Sequence, residues 1–160
     1  MDKIEIIKNP YGDTRTADPN VTFEEFQDAN DSHIADVYNV MKAIAEKIET
    51  AGANHDNTKK SKERMFFDDF KYSMENKVPF IDGKWWHYHV ENERHHLLAR
   101  CPDDVNLIDV MEMLVDCVCA ALTRKGTFSP VELPSEMLQK AVKNTTDLIQ
   151  DMVKVVDPAK

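Results

Sequence analysis

Apolar residues in this chain recur at spacings of three and four along most of its length, and no long stretch alternates apolar with polar. A period near 3.6 gives a helix one face to bury, whereas a half-buried strand needs a period of two. The pattern predicts an all-α fold, a single-domain bundle of about five or six helices. The first helix opens at Val21-Thr22-Phe23-Glu24-Glu25, with Thr22 as N-cap, Glu25 closing a capping box, and Val21 and Phe26 as the staple. Its apolar face runs through Phe26, Ile34, Val37, Met41, Ile44 and Ile48. A break is expected at Asn30-Asp31-Ser32, with Ser32 capping a second helix from His33 and Gly52 ending it.

Further helices are expected over Lys59 to about Glu75 and in the later half of Trp85 to Ala99. Another begins at Pro102-Asp103-Asp104 and contains the most apolar segment, Val105 to Leu122, closed by Arg124-Lys125-Gly126. The last runs from about Ser135 to Val156. Residues 1–20 read as an irregular N-terminal arm in which Ile4, Ile6 and Ile7 can form a short edge strand before the turn residues Asn9 to Asp13. Residues 21–160 read as the helical domain.

At 160 residues the chain is long enough to bury about two-thirds of the surface that its unfolded form exposes. No apolar run approaches the length of about 18 residues that a membrane span needs, and the first residues lack the apolar core of a signal peptide. A cytoplasmic location is the expectation, the host cytoplasm if the chain is phage-encoded, with no membrane partner. Cys101, Cys117 and Cys119 are odd in number and lack CxxC spacing, so no disulfide framework or cysteine zinc site is indicated, and Cys117 and Cys119 are expected in the core. A net charge of −9 argues against nonspecific binding to nucleic acid, and against free anions unless cations at a site reverse the local field.

The chemistry-bearing residues centre on His55-Asp56-Asn57-Thr58-Lys59. A neutral imidazole beside a carboxylate can grip one divalent ion and begin a bridge to a second, and a lysine one turn on can pair with a phosphate as a point charge. His33 starts the predicted second helix, and His55 follows it after roughly six turns. His89, Glu93 and His96, spaced i, i+4 and i+7, would share one helical face, with His95 turned aside. His87 is spaced less usefully. Asp109, Glu112 and Asp116 recur on the most apolar helix, where carboxylates are costly to bury unless paired or metal-bound; a solvated stripe is the alternative. Trp85, Trp86 and Tyr88 can stack on a base or serve as core or lid, and the Lys59-Lys60-Ser61-Lys62 cluster is either a phosphate site or a solvated helix start.

The order His33, His55-Asp56 with Lys59, His89, His95-His96, Asp116 resembles the HD-domain superfamily of metal-dependent phosphohydrolases, in the branch whose middle histidines build a two-metal site. The segments Asn92 to His96 and Asp104 to Met113 also resemble a family of small uncharacterised phage and bacterial proteins of the same layout. The likeness runs from about Thr22 to Arg124 and implies an HD-domain-like all-α fold. It implies that His33, His55, Asp56 and Asp116 hold a first metal, that Asp56 bridges, and that two or all three of His89, His95 and His96 hold a second. It also implies that Lys59 contacts phosphate. The Gly-Tyr-Pro segment of the cyclic-dinucleotide branch is absent.

The function so implied is hydrolysis of a nucleotide or related phosphoester, with one or two divalent transition metals (Fe, Mn, Zn, Ni or Co) as cofactor. Asp56, Lys59, Glu112 and Arg94 are the catalytic candidates, Lys59 or Arg94 stabilising phosphoryl charge. Glu112, Asp109 and Glu93 are candidates for orienting a ligand histidine or protonating the leaving group. Two other functions fit the same residues: a di-iron oxygenase of HD type, and a non-enzymatic acidic binding or inhibitor protein of phage type.

Overall fold

Thr22 and Glu25 start the longest helix by satisfying each other. The Thr22 N–H donates to Glu25 Oε2 at 2.9 Å and the Glu25 N–H donates to Thr22 Oγ1 at 3.2 Å. From there α1 (Phe23–Asn54) runs unbroken. The expected interruption at Asn30-Asp31-Ser32 does not occur, because Asp31 and Ser32 are exposed and their modest helix cost is carried by the turns on either side. The computed structural model describes residues 3–158; the first two and last two residues, expected in the arm and the helical domain, lie outside the described residues.

The remaining α-helices and strands are β1 (Ile4–Ile7), α2 (Asn57–Ser61), α3 (Glu63–Asn76), α4 (Lys84–Asn92), α5 (Leu107–Lys125), α6 (Ser135–Met152) and β2 (Val153–Val156), with short 3-10 turns at Pro10–Gly12 and Phe80–Asp82. The all-α expectation holds, with one small sheet added. The chain forms two compact units, one of residues 1–47 with 146–160 and one of residues 48–145, so the boundary falls within α1 and within α6.

In the first unit β1 pairs with β2 in parallel, Ile4 opposite Val153 through Ile7 opposite Val156. The predicted strand at Ile4–Ile7 therefore exists, but the last helix stops four residues short of Val156. Val153, Val155 and Val156 are β-branched, and the isoleucine strand offers them a ladder that outweighs one more helical turn.

The second unit contains the core: Leu97, Val105, Val110, Met113 and Ala141, with Leu114, Cys117 and Met137 packed against them. Burying each of the four larger side chains contributes about 2 kcal/mol. α5 begins at Leu107, later than the expected start at Pro102, because Asn106 is the cap. Its side chain accepts from the Ile108 N–H at 2.8 Å, while Asp109 Oδ2 accepts from the Asn106 N–H at 2.9 Å. α6 completes that start, since Thr145 Oγ1 accepts from the Leu107 N–H at 2.8 Å. Gly126 closes α5 at φ 71, a left-handed position, as its place after Arg124-Lys125 predicted.

The expected helix from Lys59 is two helices, α2 and α3, parted at Lys62. Phe66 of α3 stacks on Trp85 of α4 at 4.1 Å between ring centroids, and Phe80 adds a third ring. Asp69 of α3 caps α4 from outside, its Oδ2 accepting from the Trp85 N–H at 2.7 Å. Gly83 is required there, since a Cβ would sit 2.8 Å from that carboxylate oxygen. This long-range cap places the helix in the first half of Trp85–Ala99 and not the later half, reversing the expectation.

Candidate metal centre

Asp56 is one of two non-glycine residues with positive φ among the described residues, at 55°. Gly52, expected to end α1, is instead helical, and the left-handed turn comes at Asp56. Aspartate tolerates this conformation better than most residues, and the turn sends its half-buried carboxylate inward. There Asp56 Oδ1 lies 3.3 Å from His89 Nε2 and 3.6 Å from His95 Nε2. Asp56 Oδ2 lies 3.3 Å from His55 Nε2 and accepts from Lys59 Nζ.

The imidazoles arrive from three directions. His55 follows the end of α1, and His89 is in the last turn of α4. α4 ends at Asn92 with Glu93 as its extended C-cap, and the chain then turns so that the consecutive His95 and His96 both come near the carboxylate. Bonds from Leu97 N–H to His95 O and from Arg100 N–H to His96 O, each 2.9 Å, hold that turn. The shared-face geometry expected for His89 and His96 is thus reached without a continuous helix, their Nε2 atoms 2.6 Å apart. His95, expected to turn aside, is fully buried.

The Nδ1 atoms of His55 and His89 are engaged elsewhere. Glu112 Oε1, from α5, lies 2.9 Å from His55 Nδ1 and 3.0 Å from His95 Nδ1, the latter off the line of a hydrogen bond. Thr58 Oγ1 lies 2.5 Å from His89 Nδ1. A ring whose Nδ1–H is donated presents the Nε2 lone pair. The Nε2 atoms of His55, His89 and His95 all face the Asp56 carboxylate.

Among the described residues two groupings result in which one ligand atom from each residue lies within 4.8 Å of every other: Asp56, His89, His95 and His96, and His55, His95 and Asp116. Both are close enough to hold a metal ion, and His95 is common to them. His33 is in neither; it is exposed on α1. The first-metal set implied by the HD resemblance is therefore redistributed, with Asp56 grouped with the middle histidines.

Burial pushes the Asp56 carboxyl up, but the Lys59 ammonium and the His55 and His89 rings outweigh it and hold it below the usual range. Burial, then the neighbouring His96, lowers His89 to about 4. Burial and His95 likewise lower His96. For His95 burial acts downward, but Glu112 overcomes it and raises the ring. Neutral imidazoles and an ionised carboxylate are the forms a cation binds.

Arg94 has other work. Its Nε and Nη2 donate to Asp109 at 2.7 and 2.8 Å, and its Nη1 donates to Asp104 at 3.0 Å. Asp109 therefore anchors the loop before α5, and its burial is satisfied by that pair. Glu93 Oε1 accepts from the Thr58 N–H at 2.7 Å, which fixes the turn after Asp56. Trp85 is fully buried and stacks on His89 at 4.4 Å, so it walls the histidines and is not open to a base. His87 is exposed. Thr58 was passed over in the sequence; a buried threonine beside a His-Asp pair is the signal, legible only once its burial is known.

Residues 22–158 match a family described as "Family of unknown function (DUF5662)". The chain belongs to DUF5662. The match spans every residue of both groupings, together with Lys59, Thr58 and Glu112. No curated protein matches this DUF5662 chain, and no solved structure does.

Beside the second grouping α1 and α5 enclose a half-open cavity of about 280 Å3. Ile48, Gly52, Met111 and Val115 line it together with His55 and Asp116. Cys119, expected in the core, is exposed at this cavity, while Cys117 is partly buried. Among the described residues no helix is long and apolar enough to cross a membrane.

Proposed function

We propose that this DUF5662 chain is a metal-dependent phosphohydrolase, using one or two divalent transition metals held by Asp56, His89, His95, His96, His55 and Asp116 to act on a nucleotide or related phosphoester. The observation that carries this reading is the orphaned inner face of Asp56: its Oδ1 is buried with no hydrogen-bond partner while imidazole Nε2 atoms face it at 3.3 and 3.6 Å. A buried unpaired carboxylate oxygen is expensive, and a cation is the group that satisfies it and the rings together. Donors on one metal with bonds of about 2.1 Å stand roughly 3 to 3.5 Å apart, close to these two separations, while the His89 and His96 Nε2 atoms at 2.6 Å would move apart to share an ion. His55 Nε2 and Asp116 Oδ1, 3.5 Å apart, fit the same way.

His and carboxylate donors suit Fe, Mn, Zn, Ni or Co. Bound, such an ion would supply a water of lowered pKa and neutralise developing charge. The chain's residues do the rest. Lys59, partly exposed beside Asp56, is the cation placed to meet a phosphoryl oxygen. Glu112 orients His55 and His95 through one oxygen, the task of a carboxylate behind a ligand histidine. Arg94, committed to Asp104 and Asp109, is withdrawn as a phosphate contact. The resemblance to HD-domain phosphohydrolases supports the choice of reaction.

The test is elemental analysis of purified wild-type and Asp56→Asn protein, followed by assays with added Mn or Fe against phosphomonoesters, phosphodiesters and nucleotides. Bound metal with turnover that Asp56→Asn abolishes is the expected result. Metal without turnover of any phosphoester overturns the hydrolase reading, and iron with an oxygen-dependent optical change would move it to a di-iron oxygenase. A metal-free protein would leave the binding-protein reading.

A further inference from the structure

The cavity beside His55 and Asp116 has no part in holding the ligand residues, yet it opens on them. Its walls come from one face of each of two helices. Ile48 and Gly52 lie along the end of α1 with His55 just after it, and Ile108, Met111, Val115 and Asp116 lie along α5. The ionisable side chains among the lining residues are His55, Glu112, Asp116 and the Cys119 thiol, and the other side chains that line it offer no hydrogen bond. The volume of about 280 Å3 is nearly twice the roughly 150 Å3 of an apolar cavity that admits benzene. Met111 and Val115 keep 49% and 55% of their surface in water at its rim, apolar area that an occupant would cover.

Resting on the phosphohydrolase reading, we infer that this cavity receives the apolar part of the substrate, so that the preferred substrate is a phosphoester of an aryl or branched alkyl alcohol about the size of two fused rings. A nucleobase suits the cavity less well. Each of its ring and exocyclic polar atoms would lose water and meet Ile, Met or Val, leaving a buried polar group unpaired. A hydrocarbon group loses nothing by entering. Its attached phosphoester oxygen then lies beside His55 and Asp116, which line the same cavity.

Gly52 is one of the residues that line this space. It is helical, and a Cβ built on it meets nothing within 4 Å, so a larger side chain fits there without a clash. The test uses the full chain with 1-naphthol as a binding probe, and 1-naphthyl phosphate and adenosine monophosphate as paired substrates. Wild-type protein should bind 1-naphthol with a negative heat-capacity change in calorimetry and with shifted Met111 methyl signals. Gly52→Leu should weaken that binding, and lower kcat/KM for the naphthyl ester relative to the nucleotide, by about tenfold or more. Val115→Phe, at an exposed position on the opposite wall, should do the same and covers the case in which Gly52→Leu fails to fold.

Hydrolysis that favours the nucleotide and is indifferent to both substitutions overturns the inference while leaving the hydrolase reading intact. Naphthol binding blocked by both variants, with no phosphoester turned over, supports the cavity as an apolar ligand site and overturns the hydrolase reading alone. Absence of naphthol binding in a wild-type dimer that the substitutions convert to monomer assigns the face to a second copy, and overturns the inference.

Discussion

Asp56 carries two demands at once, a left-handed backbone and a buried carboxylate. An asparagine at this position would keep the first, since its side chain also tolerates that conformation, and lose the second. Asp56→Asn should therefore leave the circular dichroism unchanged and weaken metal binding by more than about 100-fold in a chelator competition titration. That exceeds the roughly 10–100-fold that a residue supporting a ligand is worth. Thr58→Val, which strips His89 Nδ1 of its partner, belongs in the latter range. His89 also sets a pH dependence. In the folded, metal-free protein it lies near 4 against an ordinary 6.5, so the unfolded chain binds its proton more readily in between. The stability is present above pH 6.5 and is lost as pH falls toward 4, by about 3 kcal/mol at most. His95, raised in the fold, acts in the other window, losing its contribution as pH rises through its folded value. Urea midpoints of chelator-treated protein at pH 7, 5.5 and 4 measure the slope, which His89→Gln should flatten.

Helix α5 is held at both ends by local chemistry. Asn106 and Asp109 close its start, and Gly126 ends it at φ 71. Asn106→Ala should cost about 1 kcal/mol, and Gly126→Ala about as much because alanine resists that conformation, both read as lowered denaturation midpoints. Gly52 is the opposite case, a helical glycine with open space around it, and Gly52→Ala should add about 0.5–1 kcal/mol of stability, read as a raised midpoint. The capping box at Thr22 and Glu25 was legible because both partners lie within four residues. The Asn106 box was equally local but was masked by Asp103 and Asp104, which offer the same acidic signal a few residues early. α4 was misplaced for a different reason. Its start depends on Asp69 and its stacking on Phe66, contacts from α3 that no spacing within Trp85–Ala99 reveals.

The second compact unit holds all of the ligand residues, so a metal bound there should stabilise it by mass action. At a free concentration about 100 times Kd the gain is about 2.7 kcal/mol, read as a rise in Tm on adding the metal, absent in Asp56→Asn. The other unit is closed by β1 and β2, from opposite ends of the chain. Ile4–Ile7 was readable as a strand, but its parallel partner was hidden in the apparent continuation of α6, because Val-rich residues serve a helix or a ladder according to what lies beside them. Residue order alone determined the helical period, the first capping box, the Gly126 stop and the presence of paired His and Asp side chains on an acidic chain. Only the tertiary structure decided which of them share a space. It left His33 exposed, committed Arg94 to two aspartates, and sank His95 to the centre, where Glu112 and Asp56 flank it. The reason is physical: periodicity and caps act within a few residues, whereas meeting across the fold depends on where turns such as those at Asp56 and Glu93 send the chain, and those are set by packing around them.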